Sequence, residues 1–525
     1  MTRTKPLDRV RFSGPDMGAR LGRAMMGVIV PLVLAITSAC SAQDLNRQVN
    51  DAIDHAKLSG AKIGVCLIDL ETGRELAGVR ATDYFIPASN MKLLTSGAAL
   101  SVLGAGYEFM TQLERFGDRL VIRGAGDPAL ADPAILKEMG MSVDELIDRL
   151  AASVERSGMK AVSEIVIDDR VFDREYVHSE WPRNQLDKSY CAEVCGLNFH
   201  ANVLELFAAP SGRDGDPATI RSDPRTAAIE VRNKARTTRA GDGSTRIGAV
   251  RQGDQNTFTI TGTVSASMRE PAQTTLHEAS LVMGRMLAER LGERLITVGD
   301  GRGVAGESLV RLAGPEEEFD HPTDVLAVVR TPMSVVLRRC NGDSENLYAE
   351  SLAKLIGHVS TGLPGTWGSG TSAVRVQIRN RLGPEFAAAA VITDGSGLSR
   401  TNRVTPRLLA SWLSACARDS QIGSAFVDSL PRAGVEGTMA NRFRANNVKN
   451  EVRGKSGYIN QVRTLSGYVT HSDSGRRVAF SILINDIPGT GDAAAKDLHE
   501  KIVQIADQWL TKQTRGAGER ERIGG

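Results

Sequence analysis

Many of the usual enzyme signatures are missing from this chain of 525 residues. It has no Walker phosphate-binding loop and no Gly-x-Ser-x-Gly elbow. That excludes P-loop nucleotide chemistry and the elbow type of serine nucleophile. Gly301-Arg302-Gly303-Val304-Ala305-Gly306 has dinucleotide-loop spacing, but no helical pattern follows it and no βαβ unit surrounds it. The eight histidines are scattered without metal-ligand spacing, so neither a metal nor an organic cofactor is expected. A surplus of one charge is also absent. Lys and Arg number 64 against 62 Asp and Glu, for a net charge of +2, which argues against a nucleic-acid footprint. No solenoid repeat is present.

Cysteine is sparse, with six in all. Beyond Cys40, five remain, so at least one is free or pairs outside the chain. Cys191 and Cys195 are spaced for a disulfide in an oxidising compartment. With His200 as the single nearby histidine, they fall short of a four-ligand zinc site. Cys66 lies in a strand pattern and reads as a small core residue. An apolar run from Ala24 to Ile36 is too short for a comfortable membrane span. Arg20 and Arg23 precede it and Thr37-Ser38-Ala39-Cys40-Ser41-Ala42 follows, the layout of a secretory signal over residues 1–42. Met17 and Met25 are alternative starts. Cleavage after Ala39 gives a lipid-anchored Cys40, and cleavage after Ala42 gives a soluble protein. Either way, the chain is expected to be exported to the periplasm or cell envelope.

Against these absences stand three short motifs in one order: Ser89-Asn90-Met91-Lys92, Ser344-Glu345-Asn346 and Lys455-Ser456-Gly457. Ser-x-x-Lys also occurs at Ser59/Lys62, Ser157/Lys160 and Ser351/Lys354, so the pattern alone decides nothing. Ser89 differs in context. It follows the loop Phe85-Ile86-Pro87-Ala88 and opens an apolar helix from Met91 to Leu103. Ser-x-Asn and Lys-Ser/Thr-Gly each occur once.

The chemistry of these residue types is coherent. Residues three apart on a helix share a face, so the Ser89 hydroxyl and Lys92 amine can meet. The helix N-terminus favours a developing alkoxide, and the free N–H of Ser89 can donate to an oxyanion. Lys92 serves as a base only when neutral, which requires desolvation or a cationic neighbour. Lys455 is a candidate for that neighbour and for attracting a substrate carboxylate. Ser344 can relay a proton to a leaving amine, and Asn346 can orient a substrate amide. Gly457 permits close approach of substrate backbone, with Ser456 beside it, and the N–H of Tyr458 completes an oxyanion hole. A bland alternative makes Ser89 and Ser344 helix N-caps, and Lys92 a solvated first-turn lysine.

In this order the motifs resemble the active-site set of serine penicillin-binding proteins and serine β-lactamases. The chain as a whole resembles the D-alanyl-D-alanine carboxypeptidase/endopeptidases of penicillin-binding protein 4 type. The segments Gly124–Leu130, Ile165–Asp169, Gly196–Val203, Asp394–Arg400 and Gly434–Met439 carry that resemblance, which runs from about Leu45 to Leu510. It implies hydrolysis of D-Ala-D-Ala ends or D-amino-acid cross-links in peptidoglycan stem peptides through a Ser89 acyl-enzyme, with β-lactams as covalent inhibitors. Ser456 replaces the family's usual Thr, Glu345 the commoner Asp, and Tyr458 a small hydroxyl residue. These departures bear on substrate preference. A β-lactamase, or a non-catalytic envelope protein that binds peptidoglycan peptides, are the alternatives. The long insertion and the matching segments outside the motifs weigh against a β-lactamase.

The expected fold is α+β: a serine β-lactamase/DD-peptidase-like domain, with an antiparallel sheet flanked by helices and a large β-rich insertion. Its segments are 43–106 and 269–512, the insertion is 107–268, and 513–525 is a disordered tail. Hairpins at 63–79 and 465–484 supply strands from both chain ends. A helix from Leu276 to Leu291 is expected to return the chain to the catalytic domain.

Overall fold

A computed structural model describes residues 43–239, 244–299, 309–444 and 448–523. The expected signal segment with Cys40, and the Gly301–Gly306 stretch, lie outside the described residues. Strand Lys62–Asp69 reads Lys-Ile-Gly-Val-Cys-Leu-Ile-Asp and is buried along nearly its whole length, as a strand covered on both faces must be. Its neighbours come from opposite ends of the chain. It pairs antiparallel with Glu75–Val79 on one side and with Arg477–Asn485 on the other. Val462–Thr470 and then Glu451–Ile459 complete a five-stranded sheet, in which Glu451–Ile459 is an edge.

Helices cover both faces of this sheet. On one, a helix over 43–54 and the last helix, Asp492–Ile523, bury Leu45, Val49, Leu498, Ile502 and Ala506 against Val65, Leu465 and Ile482. On the other, helices Met91–Leu103, Asn346–Thr361, Trp367–Leu382 and Pro406–Arg418 share one core. The first ten residues of Met91–Leu103 are all buried, Lys92 among them. An all-round buried helix is apolar on every side, so a lysine in its first turn is there for another reason than packing.

A second, five-stranded sheet stands beside the first, in the order Val310–Leu312, Ile165–Asp168, Arg119–Arg123, Glu108–Phe116, Asp324–Pro332. Two smaller sheets, one around Thr257–Val264 and one around Val203–Ala209, adjoin it. Here the structure differs from the sequence reading. Helix Ala279–Glu293 does not return to the catalytic layer. Its Val282, Met283, Met286 and Leu287 sit in the second core with Ile165, Ile167 and Leu120. Strands Val310–Leu312 and Asp324–Pro332 finish the second sheet, so this unit runs past 268. Nor is it made of strands alone: Val143–Arg156 is an amphipathic helix capped by Ser142, whose hydroxyl accepts from Glu145 N–H at 3.1 Å. The final helix continues through the stretch to Ile523 that was expected to be disordered. Cys191 and Cys195 are both free and buried, with no disulfide between them. Cys191 ends a short turn, Ser189–Cys191, and the Cys195 backbone is tied instead to Asn198 Oδ1.

Buried ion pairs lock the two units together. Asp132 accepts from Arg339 at 2.9 Å and from the Tyr348 hydroxyl at 2.6 Å, and is wholly buried. Lys354, also buried, donates to Asp173 at 2.6 Å and lies 3.9 Å from the Trp367 ring centre. Removing one partner of such a pair strands the other charge in a dry site. Asp132→Ala is expected to cost about 3–5 kcal/mol of stability, measured by denaturant unfolding. A change within error would show that the Asp132–Arg339 link does not hold the units together.

Candidate active site

Ser89 lies in a short 3-10 turn, Ala88–Asn90, that runs straight into helix Met91–Leu103. The turn is fixed from the edge strand and from its neighbour Val462–Thr470. Asn90 Nδ2 donates to Lys455 O at 2.7 Å, and its Oδ1 accepts from the Ser466 hydroxyl at 2.7 Å. Thr464 Oγ1 donates to Pro87 O at 2.9 Å. A Cβ on Gly457 would lie 2.2 Å from Thr464 Oγ1 and 3.0 Å from Ser89 N, so Gly457 is required by the strand's closeness to the Ser89 turn. A Cβ on Gly397 (φ +84°) would fall 1.8 Å from Ala88 O. The Ser89 turn is therefore pressed between two glycines.

The three motifs meet in one hydrogen-bonded cluster. Lys92 Nζ lies 3.1 Å from Ser89 Oγ, 2.6 Å from Asn346 Oδ1 and 3.1 Å from Ser396 O. Lys455 Nζ donates to Ser344 Oγ at 2.8 Å and to Ser456 O at 2.6 Å. Both lysines are fully buried. Burial pushes the Lys92 ammonium below its ordinary pKa, against the pull of Cys340, Glu350, Asp394 and Glu345. Lys455 is pushed well down by burial and then by the charge of Lys92. Two ammonium groups in one dry cleft destabilise each other, so the pair releases a proton readily.

Ser344 follows a π-helical turn, Arg338–Asp343, with a left-handed backbone (φ 70°). It is not the N-cap of the next helix: Glu345 occupies that position, without a side-chain cap bond. Strand geometry also orients the edge. Gly454 N–H donates outward to Pro431 O and Val452 O accepts outward from Ala433 N–H. Since alternate residues face the same edge, the N–H groups of Ser456 and Tyr458 lie on that outward edge too. Ser456 joins the cluster through its carbonyl. The Tyr458 ring is 62% exposed at the cleft mouth, with the Arg463 guanidinium 3.3 Å from its centre. The cleft holds about 580 Å³ and is lined by Ser89, Ser344, Asn346, Tyr190, Arg400 and Tyr458, among others.

The chain as a whole has counterparts. The family model of D-Ala-D-Ala carboxypeptidase 3 (S13) matches residues 45–509. The chain belongs to the S13 carboxypeptidase family. A D-alanyl-D-alanine carboxypeptidase from Actinomadura sp. (strain R39) is 31% identical over 93% of this chain and 91% of its own. The crystal structure of penicillin-binding protein 4 (DacB) from Haemophilus influenzae superposes with TM-score 0.68 at 22% identity, over 89% of this chain and 99% of that one. The same protein complexed with a β-lactam gives 0.65 at 21% identity, over 89% and 99% of the two chains.

The structure also brings to this S13 site residues that sequence reasoning passed over. Tyr190, from the inserted unit, accepts from Asn346 Nδ2 at 2.8 Å through its carbonyl. Asn90, inside the first motif, ties helix to strand. Glu350, one turn after Asn346, is a fully buried carboxylate, and a charge on the inner face of a helix was the signal that could have found it. Away from the cleft lining, Asp127 is buried and accepts from Ala129 N–H and Thr331 Oγ1. Burial raises it to about 6. Among the described residues no group of three or more His, Cys, Asp or Glu is placed to hold a metal.

Lys455 supplies a test of this electrostatic picture. Its folded pKa is lowered, so between that value and the unfolded lysine value the unfolded chain binds the extra proton and stability rises with pH. Lys455→Met is expected to raise stability at pH 7 by about 1–2 kcal/mol and to flatten that rise. Melting curves from pH 7 to 10 measure both effects, and a destabilised variant with an unchanged pH slope would refute the burial argument.

Proposed function

We propose that this chain is a serine-type D-Ala-D-Ala carboxypeptidase that acts outside the cytoplasm on peptidoglycan stem peptides through a Ser89 acyl-enzyme. The observation that carries the reading is the set of contacts around Lys92 Nζ. A neutral amine has two N–H bonds and one lone pair. Asn346 Oδ1 and Ser396 O take the two donors, and the lone pair is left facing the Ser89 hydroxyl at 3.1 Å. That is the geometry of a general base poised on its nucleophile.

Each step then has a residue at hand. The Ser89 proton passes to Lys92 Nζ as Oγ attacks the carbonyl carbon of the penultimate D-Ala. The N–H groups of Ser89 and Tyr458 receive the oxyanion, a contribution of about 3–4 kcal/mol for each such donor. The Ser344 hydroxyl, held by Lys455, hands its proton to the leaving amine, D-Ala departs, and the proton that Lys92 took from Ser89 passes through the lysine pair back to Ser344, leaving Lys92 neutral. Lys92 then takes a proton from water as it attacks the Ser89 ester and gives it to the departing Ser89 Oγ. Asn346 Oδ1 is held by Lys92 and its Nδ2 by Tyr190 O, so its amide has a fixed face toward the cleft. The family membership supports the substrate class, and the β-lactam bound to the Haemophilus influenzae relative supports acylation by that ring.

Intact-mass analysis with penicillin tests the assignment. A persistent adduct is expected on the protein lacking residues 1–42 and none on Ser89→Ala, together with D-Ala release from a peptide ending in D-Ala-D-Ala. Rapid penicillin consumption without an adduct would identify a β-lactamase. Binding of the peptide without product or adduct would identify a non-catalytic receptor. The acylation rate constant is expected to rise with pH, because neutral Lys92 is the active form and its pKa lies below the ordinary lysine value. A flat profile from pH 5 to 9 would exclude Lys92 as the base.

A further inference from the structure

The carbonyl that receives Lys92 belongs to a loop, and the loop is held by a carboxylate that takes no part in the steps above. Glu350 Oε1 accepts from Ser396 N–H at 2.7 Å, and Oε2 accepts from Gly395 N–H at 2.9 Å. Trp367 Nε1–H also donates to Oε2, at 2.9 Å. Two consecutive peptide N–H groups thus point at one buried carboxylate. The Ser396 carbonyl, directed away from that clamp, accepts from Lys92 Nζ at 3.1 Å. From the other side Thr95 Oγ1, one turn after Lys92, donates to Gly395 O at 2.7 Å. Asp394 shapes the rest of the loop, accepting from Gly397 N–H, Ser399 N–H, Asn402 Nδ2 and Trp181 Nε1.

We propose that Glu350 is a positioning residue for the base: its carboxylate aims the Ser396 carbonyl at Lys92 and places a negative charge behind that carbonyl. The proposal rests on the reading of Lys92 as the base.

Three considerations support it. Glu350 is fully buried, and a buried carboxylate persists only where hydrogen bonds satisfy it. Its three donors come from the catalytic loop and one neighbouring tryptophan, so the charge is spent on that loop. The charged groups around Lys92 are few and each has a place. Glu345 precedes helix Asn346–Thr361, Lys455 is on the edge strand, Asp394 is in the loop and Glu350 lies beneath it, while burial keeps the Cys340 thiol of the preceding turn neutral. Asp394 and Glu350 face each other, and burial together with Asp394 raises Glu350. A protonated Glu350 accepts more weakly at its hydroxyl oxygen, so the clamp is itself sensitive to pH.

The two functions separate in mutants. Glu350→Gln keeps the volume and removes the charge. Its amide N–H₂ must face one of the two peptide N–H groups, so the Ser396 carbonyl loses its aim. The plateau of penicillin acylation is expected to fall about 10²-fold. The acid limb is expected to move to lower pH by about one unit, since a nearby negative charge no longer holds the Lys92 proton. Trp367→Phe leaves the carboxylate with one donor fewer, so it holds a proton to higher pH; a neutral carboxyl no longer holds the Lys92 proton, and the acid limb is expected to move to lower pH, the same way as in Glu350→Gln and by less. A role confined to packing would lower the melting temperature and move neither limb.

The experiment is the pH profile of Ser89 acylation, followed by mass, for wild type and both variants, with circular dichroism to show that each is folded. Folded Glu350→Gln with an unchanged limb and plateau overturns the proposal. If that variant does not fold, an unmoved limb in Trp367→Phe overturns it alone. Wild type that forms no adduct and consumes no penicillin would instead end the Ser89 acyl-enzyme reading on which the proposal rests, a result distinct from either.

Discussion

Everything in this molecule depends on keeping a lysine dry. An amine in water is charged and cannot take a proton, so Lys92 has to be enclosed before it has any chemistry. Enclosure explains features that otherwise look unrelated. The helix that carries it is buried on every side. The first sheet lies against one flank, the Asn346 helix against another, and the 394–402 loop closes the remainder. A second lysine, Lys455, shares the space, and its presence makes a second full charge costly. The arrangement spends folding stability on reactivity, since two buried amines contribute little to the core they occupy.

The inserted unit is usefully seen as part of that enclosure. Its Asp132 is joined to Arg339 in the turn before the Asn346 helix and its Asp173 to Lys354 on that helix, while its His178 reaches the Thr393 carbonyl and its Trp181 the Asp394 carboxylate. Tyr190 O fixes the Asn346 amide. Removing the unit would expose the loop that receives Lys92, so a long interruption between Ser89 and Ser344 is consistent with a tightly built site.

How much of this was legible in the sequence follows from the range of each interaction. The hairpins at both ends and the Ser89 helix were readable, because alternation and turn residues are local signals. The meeting of Ser89, Lys92, Ser344, Asn346 and Lys455 was readable from motif order. The destination of helix Ala279–Glu293 was not, because an apolar stripe says that a face is buried and not against which core. Helix Val143–Arg156 was readable and passed over: Ser142 and the spacing of Leu146, Ile147, Leu150 and Val154 mark it. Gly457 was read as space for substrate, whereas the structure shows that Thr464 and the Ser89 turn fill it, a contact between segments more than 360 positions apart in places. Glu350 and Asn90 depend on partners of the same kind, distant in sequence and invisible to any local pattern.

The pairing of Lys62–Asp69 with Arg477–Asn485 has a kinetic consequence. The first strand of the catalytic sheet leaves the ribosome long before the strand that flanks it, and closing so long a loop is slow. Until the last hairpin arrives, no sheet exists for the Ser89 helix to lie against, and Lys92 stays hydrated and inert. On the proposed reading of Lys92, the site is therefore assembled only after the Arg477–Asn485 strand has been made.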